Sequence, residues 1–145
     1  MEWINGLQGK TVGLDTAPLI YFIEENLTYL EATTLFFEAM DKGDFSVVTS
    51  TVTLLEVLVQ PLRSNNTALA SEYQDILLNS KLMTVEVSSA IAEQAARLRA
   101  AYNIRTPDAI QVSAALNAGA TYFFTNDIRL PEIPSIQILS LDSLR

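Results

Sequence analysis

RTPDAIQVSAALNAGATYFFTND, residues 105–127, is the stretch whose reading decides the fold. Thr106 supplies an N-cap and Pro107 a first helical position, where a missing N–H costs nothing. The spacing predicts a helix over Pro107–Ala118, closed by Gly119. An apolar, aromatic strand over Thr121–Thr125 follows and runs into Asn126 and Asp127. A helix that feeds a short buried strand is the unit from which parallel sheets with helical faces are built. This unit carries an acid at each end, Asp108 and Asp127.

The same alternation extends in both directions. Further strands are expected at Thr11–Leu14, Phe45–Thr49, Leu82–Val85 and Ile136–Leu139. Helical periodicity marks Thr16–Glu25, Tyr29–Lys42, Val52–Val59 ahead of Pro61, Asn66–Leu78 and Ser88–Tyr102. The pattern predicts an α/β fold, a three-layer α/β/α sandwich around a central, mostly parallel sheet of about five strands. The chain of 145 residues reads as one domain, with residues 1–10 as an N-terminal extension before the first strand. No repeat, low-complexity tract or linker interrupts it.

Two residue types are missing, and their absence prunes the chemistry. Without Cys there is no disulfide, thiol nucleophile or thiolate metal site. Without His there is no Ser-His-Asp triad and no imidazole base. No apolar run approaches the roughly 20 residues that span a bilayer, and the start MEWINGLQGK lacks the pattern of a signal peptide. A cytoplasmic protein is the expectation. The net charge of −8 runs against broad, non-specific binding of nucleic acid, which depends on Lys and Arg.

Four acids stand at structurally special places. Asp15 ends the apolar run TVGLD, and Glu56 lies inside the helical stretch TVTLLEVLV. Asp108 sits in the first turn of its helix, and Asp127 follows the strand TYFFTND. In open α/β sheets, sites form beyond the carboxyl ends of strands, where strand order reverses, so these acids can converge at one edge. Each also has a plainer reading. Asp15 suits an N-cap, Glu56 a capping box with Thr53, Asp108 a dipole-favoured helix start, and Asp127 a turn. Taken together they point to a metal site, because clustered carboxylates need a divalent cation. All-oxygen donors suit Mg²⁺ or Mn²⁺.

Three runs of this sequence also resemble the PIN domain family: GLDTAPLIYFIE, STVTLLEVLVQPLR and RTPDAIQVSAALNAGATYFFTND. The likeness extends from about Thr11 to Leu141 and is greatest to the VapC-type toxin ribonucleases of toxin–antitoxin pairs. It implies that Asp15, Glu56, Asp108 and Asp127 hold the metal, with Asp15 and Asp108 as its most direct ligands. Thr16, Thr125 and Asn126 fall where the family places supporting polar groups. The resemblance further implies a Mg²⁺- or Mn²⁺-dependent endoribonuclease leaving a 5′-phosphate and a 3′-hydroxyl, an RNA substrate, a cognate antitoxin, and a homodimer.

Arg97, Arg99, Arg105 and Arg129 are the candidate phosphate contacts, with exposed solubility residues as the plainer reading. A groove for an antitoxin helix is expected around Leu54–Val59 and Leu69–Leu78. The competing readings are a non-catalytic acidic module that binds a protein, and a PIN nuclease outside any toxin–antitoxin pair. A phosphoacceptor receiver domain needs a Lys after its last strand, and Lys10, Lys42 and Lys81 are not so placed. A haloacid-dehalogenase-type phosphatase needs a second Asp two residues beyond the first, where this chain has Ala17.

Overall fold

The computed structural model describes residues 2–144; Met1 and Arg145, the outermost residues of the expected domain, lie outside it. Five strands form one sheet: β1 (Thr11–Leu14), β2 (Ser46–Ser50), β3 (Met83–Val85), β4 (Tyr122–Thr125) and β5 (Gln137–Ser140). All neighbours pair in parallel, in the order β3-β2-β1-β4-β5. Strand order therefore reverses between β1 and β4, and Leu14 lies opposite Phe124 there.

Among the described residues eight helices connect and cover the strands: α1 (Glu2–Asn5), α2 (Thr16–Ile23), α3 (Leu30–Lys42), α4 (Thr51–Arg63), α5 (Thr67–Leu78), α6 (Ser89–Tyr102), α7 (Thr106–Asn117) and α8 (Leu141–Leu144). Alternation along the strands sorts the core into two layers. Val12, Leu14, Val47 and Phe124 face a cluster built from α2, α3, α4 and α5, while Val48 and Phe123 face α6 and α7. A Cβ on Gly13 would lie 2.5 Å from the Ala115 Cβ and 2.8 Å from Phe123, so only glycine lets α7 sit this close to β1.

Several expected boundaries shift for physical reasons. The helix expected to end before Pro61 continues to Arg63. Pro61 shares the buried face of α4 with Thr53 and Val57, and burying its ring offsets the one backbone bond it cannot donate. That helix starts from a Ser50 N-cap, so Thr53 lies inside it and no Thr53–Glu56 capping box forms. The N-cap of α7 is Arg105, whose backbone is extended, and not Thr106, which is already helical and whose hydroxyl accepts from Arg99 at 2.9 Å. Residues ahead of β1 are no bare extension: Leu7 is buried in the core and Trp3 stacks on Phe124 at 6.0 Å. Among the described residues no helix is long and apolar enough to cross a membrane.

Candidate active site

Each of the four acids is delivered by a different element. Asp15 is the N-cap of α2, one residue past β1; its Oδ1 accepts the Thr16 N–H at 2.8 Å. Glu56 projects from α4, and Asp108 from the first turn of α7. Asp127 lies two residues past β4. They meet in one open cleft of about 350 Å³, lined also by Thr16, Asn126, Arg105 and Arg129. A hollow of about 210 Å³ adjoins it across Arg105, Asp108, Asp127 and Arg129.

Hydrogen bonds fix the acids unequally. Thr125 donates to Asp15 Oδ2 at 2.7 Å, and Thr16 donates to Glu56 Oε1 at 2.6 Å. Arg105 Nε lies 3.1 Å from Asp108 Oδ2. Arg129 grips Asp127 with two nitrogens, Nε to Oδ1 at 3.0 Å and a terminal nitrogen to Oδ2 at 3.3 Å. Asp108 and Asp127 sit inside the cleft and their arginines on its rim: side-chain exposure is 12% for Asp108 and 15% for Asp127, against 63% for Arg105 and 68% for Arg129; Glu56 is exposed. Asn126 lines the cleft, while its Oδ1 accepts the Asp142 N–H at 3.2 Å.

The electrostatics follow from this division. Burial pushes the Asp15 carboxyl above its ordinary value; the bonds from Thr125 and Thr16 counter that, and the charges of Asp108 and Glu56 add to it. Asp127 moves the other way, held below the usual carboxylate value by Arg129. Among the described residues Asp15 and Glu56 form no ion pair. Asp15 is thus a desolvated carboxyl beside two other acids, with no cation among the described residues paired to it.

That arrangement and its all-oxygen donor chemistry fit a hard dication such as Mg²⁺ or Mn²⁺. As the side chains stand, no three carboxylates among the described residues gather closely enough to hold one ion. Asp108 and Asp127 are turned to Arg105 and Arg129.

Two of the four candidate arginines lie elsewhere. Arg99 donates to the Ile104 carbonyl at 2.8 Å and lines a separate hollow between α6 and α7; Arg97 is exposed on α6. Sequence reading missed Ser50, Thr53 and Gln111, buried polar groups directly behind the cleft. The available signal was Gln111 itself, three residues after Asp108 and so on the same helical face, in an otherwise apolar stripe.

The PIN domain family model matches residues 12–136. Comparison with curated proteins gave no significant match. Among solved structures, a chain of VapBC2 from Rickettsia felis, bound to a DNA fragment from its promoter, superposes with a TM-score of 0.72. It shares 20% identity, over 90% of this chain and 98% of that one. A toxin–antitoxin complex from Klebsiella pneumoniae gives 0.66 at 20% identity, over 90% and 97% of the two chains. VapC20 of Mycobacterium tuberculosis, a toxin that cleaves the sarcin–ricin loop, gives 0.64 at 16% identity, over 78% and 86%.

Proposed function

From the premise that this chain belongs to the PIN domain family, we propose that it is a metal-dependent endoribonuclease and the toxin of a toxin–antitoxin pair. One observation carries this reading: four acids from four separate elements line one cleft, and Asp15, whose carboxyl is desolvated there, pairs with no cation among the described residues. In this reading Asp15 and Asp108 are the direct ligands of Mg²⁺ or Mn²⁺, and Glu56 and Asp127 complete the site. When bound, such an ion neutralises the scissile phosphate and acidifies a water.

The chain's own groups supply the rest. Thr125 and the Thr16 N–H orient Asp15, and Thr16 orients Glu56 through one oxygen. Its other oxygen, Oε2, is left to accept a proton from the attacking water. The water oxygen bonds to phosphorus, the P–O3′ bond breaks with its electron pair leaving on O3′, and O3′ takes a proton from solvent, so the products carry a 5′-phosphate and a 3′-hydroxyl. Arg105 and Arg129, exposed on the rim, contact RNA phosphates, while Arg97 and Arg99 could do so only for a strand that crosses α6.

An antitoxin partner is supported by the solved toxin–antitoxin complexes that share the fold and by an apolar ridge beside the cleft. Of the expected groove, Val57, Tyr73 and Leu77 are spent on the core. Leu55, Val59 and Leu62 remain exposed along α4, and Leu78 at the end of α5. A homodimer and a cytoplasmic location follow from the family alone. The deciding experiment is cleavage of structured RNA with Mg²⁺ and with EDTA, beside Asp15→Asn and Asp108→Asn. Cleavage is expected only in the wild-type protein with metal; activity that survives chelation or both substitutions overturns the reading.

A further inference from the structure

Behind the cleft, Thr49, Ser50, Thr53 and Gln111 are buried to 2% exposure or less, and they connect to Glu56 through Thr16. The direction of each hydrogen bond can be assigned by counting hydrogens. Ser50 Oγ accepts the Val52 N–H at 3.2 Å, and its own hydrogen goes to Gln111 Oε1 at 2.7 Å. This fixes the amide. Gln111 Nε2 then faces Thr53 and Thr16 as a donor, bonding the Thr53 hydroxyl and lying 3.4 Å from that of Thr16.

The hydroxyls follow in order. Thr49 donates to the Leu14 carbonyl at 2.9 Å, so in the 2.8 Å contact between Thr49 and Thr53 the hydrogen comes from Thr53. Thr16 meets a donor in the amide, and the Thr53 hydroxyl, 3.3 Å away, has spent its own hydrogen and already accepts from the same amide. The Thr16 hydrogen therefore goes to the nearer, charged acceptor, Glu56 Oε1 at 2.6 Å.

We infer that Gln111 is a positioning residue: its amide, locked by Ser50, forces the Thr16 hydroxyl to donate outward and so holds the Glu56 carboxylate in the cleft. The inference rests on the reading of the cleft as a metal site only for its consequence, not for its geometry. Groups that orient metal ligands from behind typically change metal affinity by about 10-fold or more when removed.

The test is Gln111→Met, which keeps the side-chain length and removes both polar ends. In a metal-free crystal structure of this variant, the Glu56 carboxylate is expected to leave the Thr16 hydroxyl. By calorimetry, Mn²⁺ binding should weaken by about 10-fold. In cleavage assays kcat should fall with the KM for RNA little changed, because the rim arginines are untouched. In a Thr16→Val background, Gln111→Met should add no further loss, since both changes break the same path.

Glu56 still bonded to Thr16 in the variant, or losses in Mn²⁺ affinity that multiply in the double variant, overturns the role of Gln111. If the wild-type protein binds no Mn²⁺, the metal reading falls, and the position of Glu56 in the metal-free variant still decides for or against Gln111. Ser50→Ala, which unlocks the amide while retaining it, serves if Gln111→Met does not fold. The same displacement of Glu56 is expected, and an unmoved Glu56 overturns the inference.

Discussion

The Thr125 hydroxyl donates to Asp15 Oδ2 at 2.7 Å and accepts the Asp127 N–H at 3.0 Å, so one buried oxygen couples the ends of β1 and β4. Thr125→Val keeps the shape and removes both bonds, leaving the Asp127 N–H and one oxygen of Asp15 without these partners. A loss of about 1–3 kcal/mol is expected, the usual cost of stranding buried polar groups. Mn²⁺ affinity should fall with it, because Asp15 is then free to rotate. Urea denaturation and calorimetry check the two effects; wild-type values in both would show that the coupling is incidental.

Asp15 also predicts an unusual pH response of the metal-free protein. Its carboxyl titrates above the ordinary 3.8, so the fold binds that proton more tightly than the unfolded chain does. The stability it contributes is complete below 3.8 and is lost as pH rises through the raised value. Near neutrality the ionised group, facing Asp108 and Glu56, is a burden on the fold. Asp127 has the opposite sign: its lowered value favours the fold above 3.8 and that support is lost on acidification. Asp15→Asn isolates the first effect. Without metal the variant should unfold at higher urea than wild type near neutral pH, and the gap should close in acid. Added Mn²⁺ should stabilise only the wild type. A variant less stable than wild type at neutral pH would contradict the burial argument.

What the sequence revealed, and what it hid, has physical causes. The sheet was legible because its strands are short β-branched or aromatic runs, and because Gly119 and Gly43 mark helix ends unambiguously. Asp15, Asp108 and Asp127 could be placed at one edge because each adjoins a strand end or helix start, where chain direction fixes position; Glu56, inside α4, could be placed only through the strand that its helix follows. Side-chain pairing was not legible. Nothing in the spacing of Arg105 or Arg129 distinguishes a rim residue that grips an acid from Arg97, which is exposed on α6. Nor could periodicity reveal that Gln111, at a core position of α7, would find Ser50 at the end of β2 and Thr53 in α4. Pro61 misled because a rule about lost hydrogen bonds takes no account of the core its ring fills.

The apolar ridge on α4 predicts separable inhibition. Leu55 and Leu62 are 66% and 62% exposed and lie one side of the helix away from Glu56. Replacing both with Glu removes little from the core, so folding and RNA cleavage should persist. Binding of a cognate antitoxin should be lost, because two charges would have to be buried against its apolar face. The measurement is inhibition of cleavage by the purified protein of the adjacent reading frame. Undiminished inhibition of the double variant would place that partner on another surface.

Arg129 competes for the group a metal needs, and this predicts two effects of opposite sign. Its guanidinium holds Asp127 through both oxygens, and Asp127 stays well ionised as a result. The same side chain is 68% exposed, so the pair is screened by solvent and can open at modest cost. Once open, Arg129 is a free cation at the cleft rim, placed to meet a phosphate. Arg129→Ala should therefore tighten Mn²⁺ binding, since Asp127 no longer has a competitor. It should weaken RNA binding, and lower the slope of log affinity against log salt by about 0.7, the value for one phosphate contact on a single strand. Calorimetry with Mn²⁺ and fluorescence polarisation with RNA in EDTA, over a salt series, measure the two separately. Equal Mn²⁺ affinity together with an unchanged salt slope would reduce Arg129 to a surface residue and remove it from the site.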